Sequence, residues 1–427
     1  MPTFQLAAVF LALVALGGWV NARTVRLPHA VAMLLVGLTG ALVMGILQRI
    51  APGLVGVGDA IAAVARVDFA HAVLDYMLAF LLFAGAMQVD LSELRRQWLS
   101  VWTLATLGVA ASTVIVGGGL YLAGRLLGVE LPMTWALVFG ALISPTDPIA
   151  VLATVKGGHL SKRLQVVLQG EALFNDGVGI VVFTALLALA TGSAPSPSAA
   201  LVEVAVAALG GLALGLAAGG VVIRAMRAID DFAVEVCLSL ALAMGVYAGA
   251  QALHLSGPIA VVGAGLLMGE GRHRASSDMT QAYLDNFWTL VDEVLNALLF
   301  FLLGLQLLVV PLEGWLASLC AAATILVLVA RFAVVLPWGS YFNRHRDDRG
   351  ASLILTWGGL HGALSLALAL SIPEGPERSI ILSVTFVVAT FSVMAQGLSF
   401  GALAAALRGR SRAAHRAAAA ATDPADG

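Results

Sequence analysis

One apolar stretch after another, each about the length of a bilayer-spanning helix, fills this chain almost end to end. Thirteen can be marked between charged or proline-containing breaks, at approximately 4–21, 28–47, 69–89, 98–123, 131–155, 164–190, 200–222, 232–252, 255–269, 287–310, 315–338, 350–371 and 379–406. Little chain is left over for a soluble domain. The composition agrees, with 60% hydrophobic and 11% charged residues and a mean hydropathy of +0.96, outside the range of ordinary soluble domains. The sequence therefore predicts an all-α integral membrane protein of thirteen transmembrane helices. Residues 1–407 would form a single transmembrane unit, and residues 408–427 a short tail, disordered at its acidic, Ala-rich end.

The near-neutral formal charge of −2 hides a strong asymmetry. Of the 23 Lys and Arg, 18 fall in the tail or in loops after odd-numbered stretches, against four in the opposite loops (Arg49, Arg66, Arg125 and Arg378). The positive-inside rule then puts the N-terminus outside and the C-terminus in the cytoplasm. The first stretch lacks a basic leader and is long enough to span, so it is expected to be a helix rather than a cleaved signal. Cys237 and Cys320 lie inside predicted spans and are expected to pack as small apolar residues.

Two predicted helices are interrupted at their middles. In VFGALISPTDPIAVLATV, Pro145 and Pro148 flank Thr146 and Asp147, removing two backbone donors and forcing the fifth helix open. In LILTWGGLHGALSLALAL, Gly358, Gly359 and Gly362 surround His361 in the twelfth. The breaks lie seven spans apart, the signature of inverted repeats, here helices 1–6 against 8–13, with a transport site between them. Opened backbone at this depth is tolerated only inside protein or along a cavity.

Intramembrane acids mark ion or proton pathways. Asp147 and Asp176 are the candidate pair, because carboxylates and freed carbonyls supply the oxygen ligands of a hard cation. Asp147 also has a plain reading as the N-cap of a second half-helix, and the two roles are compatible. Glu171 and Asn175 share a helix face, while Asp176 turns about 100° away from Asn175. Arg331 is the one basic residue well inside a span, and a structural ion pair with Glu171 is preferred over Glu171 as proton carrier. His361 is either hydrogen-bonded packing or a titrating group, with an ordinary pKa of about 6.5. Gly170, Gly177 and Gly179 read as close-packing positions. Asp75 and His71 read as lining an entrance, and Asp292, Glu293 and Asn296 as solvated groups at the mouth of the tenth helix. Asp90, Glu93, Arg95 and Arg96 read as a solvated helix start.

Taken together, SPTDPIAV, GEALFNDGVG, ARF, WGGLHGALSLALALSIP and FSVMAQGLSFGAL resemble the bacterial sodium/proton antiporters of the cation/proton antiporter-1 family, from the first helix to about Leu407. The resemblance implies a homodimer with an interface domain and a six-helix core built from helices 4–6 and 11–13, in which helices 5 and 12 are broken and cross. It implies that Asp176 exchanges the cation and proton, that Asp147, the Thr146 carbonyl and Asn175 assist, and that Glu171 pairs with Arg331. The Asn175-Asp176 sequence, where electrogenic relatives have two aspartates, implies electroneutral exchange of Na⁺ (or Li⁺) for H⁺ in the bacterial inner membrane. The chain departs from the family pattern at Ala172, where a serine is usual, at Ala84, where a glutamate holds the asparagine, and at His361, where an arginine is usual. A K⁺/H⁺ antiporter and a proton-responsive sensor or channel-like protein on the same fold are the alternatives. No nucleotide loop, His/Cys metal cluster or nucleophile–base pair points to an enzyme. The expectation is no cofactor and no nucleic acid, with membrane lipid as surroundings.

Overall fold

A computed structural model describes residues 3–51, 56–147, 160–193, 197–275, 277–344 and 350–407. Among these residues the regular elements are helices, in the order α1 (Thr3–Arg23), α2 (His29–Ile50), α3 (Val57–Ala65), α4 (Phe69–Met87), α5 (Leu91–Leu127), α6 (Met133–Ile143), α7 (Lys162–Ala190), α8 (Pro197–Met226), α9 (Phe232–Ala252), α10 (Gly257–Ala275), α11 (Asp278–Leu308), α12 (Ala317–Phe342), α13 (Ala351–Gly358), α14 (Ala363–Leu370) and α15 (Pro376–Leu407). Ten are long and apolar enough to cross a membrane. Of the other five, α3 is short, α10 ends in a charged turn from Glu270 on, and α6, α13 and α14 are short because the backbone opens where the sequence analysis expected it to. α6 ends at Ile143, just before Pro145, and α13 and α14 are separated by Gly359–Gly362. Pro148, the second half of the fifth predicted stretch and the tail lie outside the described residues.

The nine-residue α3 is a helix the apolar runs did not announce, being too short to span. Three long helices also contain π-helical turns, at Ala72–Met77 in α4, Leu104–Gly108 in α5 and Ser392–Gln396 in α15. Periodicity gives no warning of these, since one inserted residue barely disturbs an all-apolar surface. π-turns often accompany functional sites.

Helix starts are legible in the caps. Asp90, Ser161, Asp231 and Ser277 each accept backbone N–H bonds from the first turn of the helix that follows. Each of these caps stands in a loop after an odd-numbered predicted span, among the basic residues. Packing runs in two sets. α10 lies against α4, α8 and α9, and α11 lies against α2 and α4. α5 lies against α6 and α12, α7 against α5 and α6, α13 against α12, and α14 against α15. Gly170 packs against Leu94 and Val101, Gly177 against Ile259 and Gly179 against Pro145, so these three glycines are close-approach positions.

Asp90 does more than begin a helix. Lys162 Nζ, at the start of α7, donates to its Oδ2 at 2.5 Å, tying the ends of α5 and α7 together. That bond, then those from the Ser92 hydroxyl and the Glu93 N–H, hold the Asp90 carboxyl well below the usual carboxylate range. A depressed carboxyl stabilises the fold at all pH values above its ordinary pKa of about 3.9, and the contribution fades as pH falls through the folded-state value. Asp90→Asn should therefore lower the thermal unfolding temperature equally at neutral and mildly acidic pH, with the gap from wild type closing only in strong acid. A gap that stays constant in strong acid would contradict this account.

Candidate ion-binding site

The two helix breaks meet. The chain leaves the helix after Ser144, and the Asp147 N–H donates to the Leu360 carbonyl at 2.7 Å, forming an antiparallel bridge between the two openings. An opened helix inside a membrane must find partners for its freed backbone groups, and here side chains of neighbouring helices supply them. Arg331 Nε and Nη2 both donate to the Leu355 carbonyl at the end of α13, at 3.2 and 3.1 Å. In the π-turn of α15, the Ser392 hydroxyl accepts the His361 N–H at 2.9 Å and donates to Gln396 Oε1 at 2.5 Å. Gln396 in turn donates to the Trp357 carbonyl at 3.4 Å.

Arg331 is thus a cation at the negative end of a half-helix as well as the partner of Glu171. Its guanidinium grips that carboxylate with two bonds, Nη1 to Oε1 and Nη2 to Oε2, the second at 2.9 Å. Both side chains are buried, at 1% exposure for Glu171 and 7% for Arg331, so the bidentate pairing is what makes either charge tolerable. Close approach of backbone to guanidinium requires a glycine at 359, where a Cβ would run into Arg331. At α13 the positive charge beside the half-helix carbonyls is supplied by Arg331.

His361 serves the other broken helix. Its Nδ1 lies 3.2 Å from the Pro145 carbonyl, an acceptor, so Nδ1 carries the proton in this contact. The ring is buried and borders a small cavity shared with Glu171, Asn175, Arg331 and Ser144. Asn175, 1% exposed, donates Nδ2 to the Thr146 hydroxyl at 2.9 Å. With Ala84 at the family's glutamate position, this hydroxyl is the partner that the asparagine takes. Its Oδ1 has no hydrogen-bond partner among the described residues.

Asp176 faces elsewhere. With Asp147, Thr146 and Pro145 it borders a separate cavity of about 140 Å³ that extends along α4 and α7 to Gln88 and Gln169. The turn of α7 between Asn175 and Asp176 therefore divides the polar residues between two chambers, with the ion pair behind and the two aspartates in front. Ala172 lines the front chamber with a methyl group. Gly362, at the start of α14, borders it too, and a Cβ there would fall 2.7 Å from Asp147 Oδ2. The absence of a side chain lets the carboxylate sit against the positive end of the half-helix.

The front chamber also contains two residues that the sequence analysis assigned to a solvated mouth. Asp292 and Asn296 of α11 border it, and Asn296 is buried at 4% exposure. Their spacing places both on one helix face, but nothing in a single sequence says which neighbour that face meets. Asp75, bonded to His71 at 2.5 Å, borders a different cavity with Glu203 and His254. Cys237 and Cys320 are both free thiols. No group of three or more His, Cys, Asp or Glu side chains arranged for a metal ion occurs among the described residues.

Comparison with known proteins gives a consistent result. The family described as sodium/hydrogen exchanger, transmembrane, matches residues 10–406. The Na(+)/H(+) antiporter NhaP of Pseudomonas aeruginosa is 43% identical over 406 residues, 93% of this chain and 96% of that protein. The Na(+)/H(+) antiporter NhaH of Halobacillus aidingensis is 32% identical, covering 88% of this chain and 91% of its own. Among solved structures, the sodium proton antiporter MjNhaP1 from Methanocaldococcus jannaschii has the same fold, with a TM-score of 0.72 at 20% identity, over 96% of this chain and 100% of that one. A match of this extent, on a chain of membrane-length helices, makes this protein a member of the sodium/hydrogen exchanger family.

Proposed function

We propose that the protein is a secondary antiporter that exchanges Na⁺ (or Li⁺) for H⁺, one for one, by alternating access, with cation and proton competing for the Asp176 carboxylate. The observation that carries this reading is the front chamber. Asp176 and Asp147 share it with the opened backbone at Pro145 and Thr146, and no basic side chain lines it among the described residues. Such a wall offers a cation oxygen ligands with no competing positive charge. The Glu171–Arg331 pair neutralises the charge of the neighbouring cavity, which leaves the aspartates of the front chamber as the groups whose charge changes. A proton or a cation on Asp176 cancels its charge and lets the site cross the membrane; an uncancelled carboxylate is held back by the cost of desolvation. Asn175 contributes by holding Thr146 in place.

The relatives named as Na(+)/H(+) antiporters favour Na⁺ as the substrate. K⁺ at the same site is the second reading, favoured by Ala172, which offers a methyl where the family's serine offers a hydroxyl. The two sets of packed helices support a six-span core of helices 4–6 and 11–13 moving against an interface domain, in a homodimer of thirteen-span subunits built from inverted repeats. The basic loops support an outside N-terminus and a cytoplasmic C-terminus in a bacterial inner membrane. In that orientation the front chamber reaches toward the cytoplasm through exposed Gln88.

The test is collapse of a preset pH gradient in proteoliposomes on addition of Na⁺, Li⁺ or K⁺. Wild type should respond to at least one cation, and Asp176→Asn to none, with Asp147→Asn reduced by about two orders of magnitude if its ligation is charge-assisted. A well-folded wild type that responds to no cation would move the reading to a sensor or channel-like protein. His361 supplies a positive charge only when protonated, so the wild-type activity profile should lie on the acidic side of the His361→Arg profile; superimposed profiles would remove His361 from any role in pH response.

A further inference from the structure

The third carboxylate of the front chamber belongs to neither broken helix. Asp292 and Asn296 stand four residues apart on α11, and Asn296 Nδ2 donates to Asp292 Oδ1 at 2.9 Å. Asn296 is 96% buried by exposure, and its Oδ1 has no hydrogen-bond partner among the described residues. Both residues border the chamber that holds Asp147 and Asp176, whose only charged lining groups among the described residues are these three aspartates. α11 packs on α2 and α4, whereas Asp147 follows α6 and Asp176 lies on α7, which pack with α5. Asp292 therefore reaches the chamber from a different set of packed helices than Asp147 and Asp176 do.

A pair formed only to decorate a helix surface would leave its amide oxygen in water. Here the donor end of Asn296 is spent on Asp292, and its acceptor end is buried beside a cation-attracting wall. Carboxylate and amide oxygens are the donors that a hard monovalent cation accepts, with water filling its remaining coordination positions. We propose that Asp292 and Asn296 form a second cation subsite, at which a partly hydrated Na⁺ is held before transfer to Asp176. Asp292 provides the charge and Asn296 orients it while adding an oxygen. This assignment rests on the exchange reading above for its role in transport, but not for its ability to bind a cation.

The full-length protein and its Asp292→Asn, Asp176→Asn and double variants would be compared in two ways. The first is the Na⁺ concentration giving half-maximal collapse of the pH gradient. The second is the rise in unfolding temperature caused by Na⁺ relative to choline at equal ionic strength. Asp292→Asn should raise the half-saturating Na⁺ about three- to fivefold, the range of a solvated ion contact, and Asp292→Glu should restore much of it. Asp176→Asn should keep a Na⁺-specific stabilisation that the double variant lacks. The proposal is overturned if Asp292→Asn leaves half-saturation unmoved and the single and double variants respond to Na⁺ alike; a purely structural pair would lower the unfolding temperature equally in Na⁺ and choline. Asn296→Ser, which retains the carboxylate, is held to the same outcomes should Asp292→Asn not fold. If wild type exchanges no cation, the transport reading fails, while Na⁺ stabilisation of Asp176→Asn still reports on the subsite.

Discussion

Breaking a helix inside a membrane exposes backbone groups that lipid cannot satisfy, and the architecture around residues 144–147 and 359–362 is organised by that cost. Each opening answers part of the other's need through the bond from the Asp147 N–H to the Leu360 carbonyl. Further bonds come from Arg331, Ser392 and Gln396, which reach in from α12 and α15, and from His361 to the Pro145 carbonyl. The proposed ion site is a by-product of this solution. Backbone is held open beside Asp147, and α7 passes close enough to bring Asp176 to the same chamber.

Buried charge is handled in two different ways a single turn apart on α7. Glu171 is locked to an arginine that cannot lose its proton, so that carboxylate is removed from the exchange chemistry. Asp176 faces a chamber that no basic group lines among the described residues, and the proposed exchange has its charge met by an ion from solution. The division depends on helix geometry, since two residues five positions apart project about 140° from each other. It gives the proposed competition a structural basis, with one acid fixed and one left to the substrates.

Much of this was legible in the sequence because membrane burial makes polar residues conspicuous. Asp147, Asp176, Glu171, Arg331 and His361 stood out against apolar surroundings, and the proline and glycine clusters marked where α6 stops and where α13 gives way to α14. Charge balance made the Glu171–Arg331 pair the preferred reading over Glu171 as proton carrier. What stayed hidden depends on three-dimensional neighbours. The spacing puts Asn175 on the face of Glu171 and away from Asp176, but nothing in it shows that Asn175 takes the Thr146 hydroxyl as its partner. The π-turn that brings Ser392 to the His361 N–H is equally silent, because its residues have ordinary helical composition. Asp292 read as a solvated charge because a linear pattern locates a residue along a helix but not the helix beside another.

The central claim is that a cation and a proton compete for one carboxylate, and the pH dependence of the apparent KM for Na⁺ in reconstituted protein tests it most directly. Competition requires KM to rise about tenfold for each unit of pH lowered once the proton dominates the site, while the maximal rate at saturating Na⁺ stays level. A KM that is flat across the acidic range, with activity lost through the maximal rate instead, would mean that proton and cation act at different groups and would contradict the account.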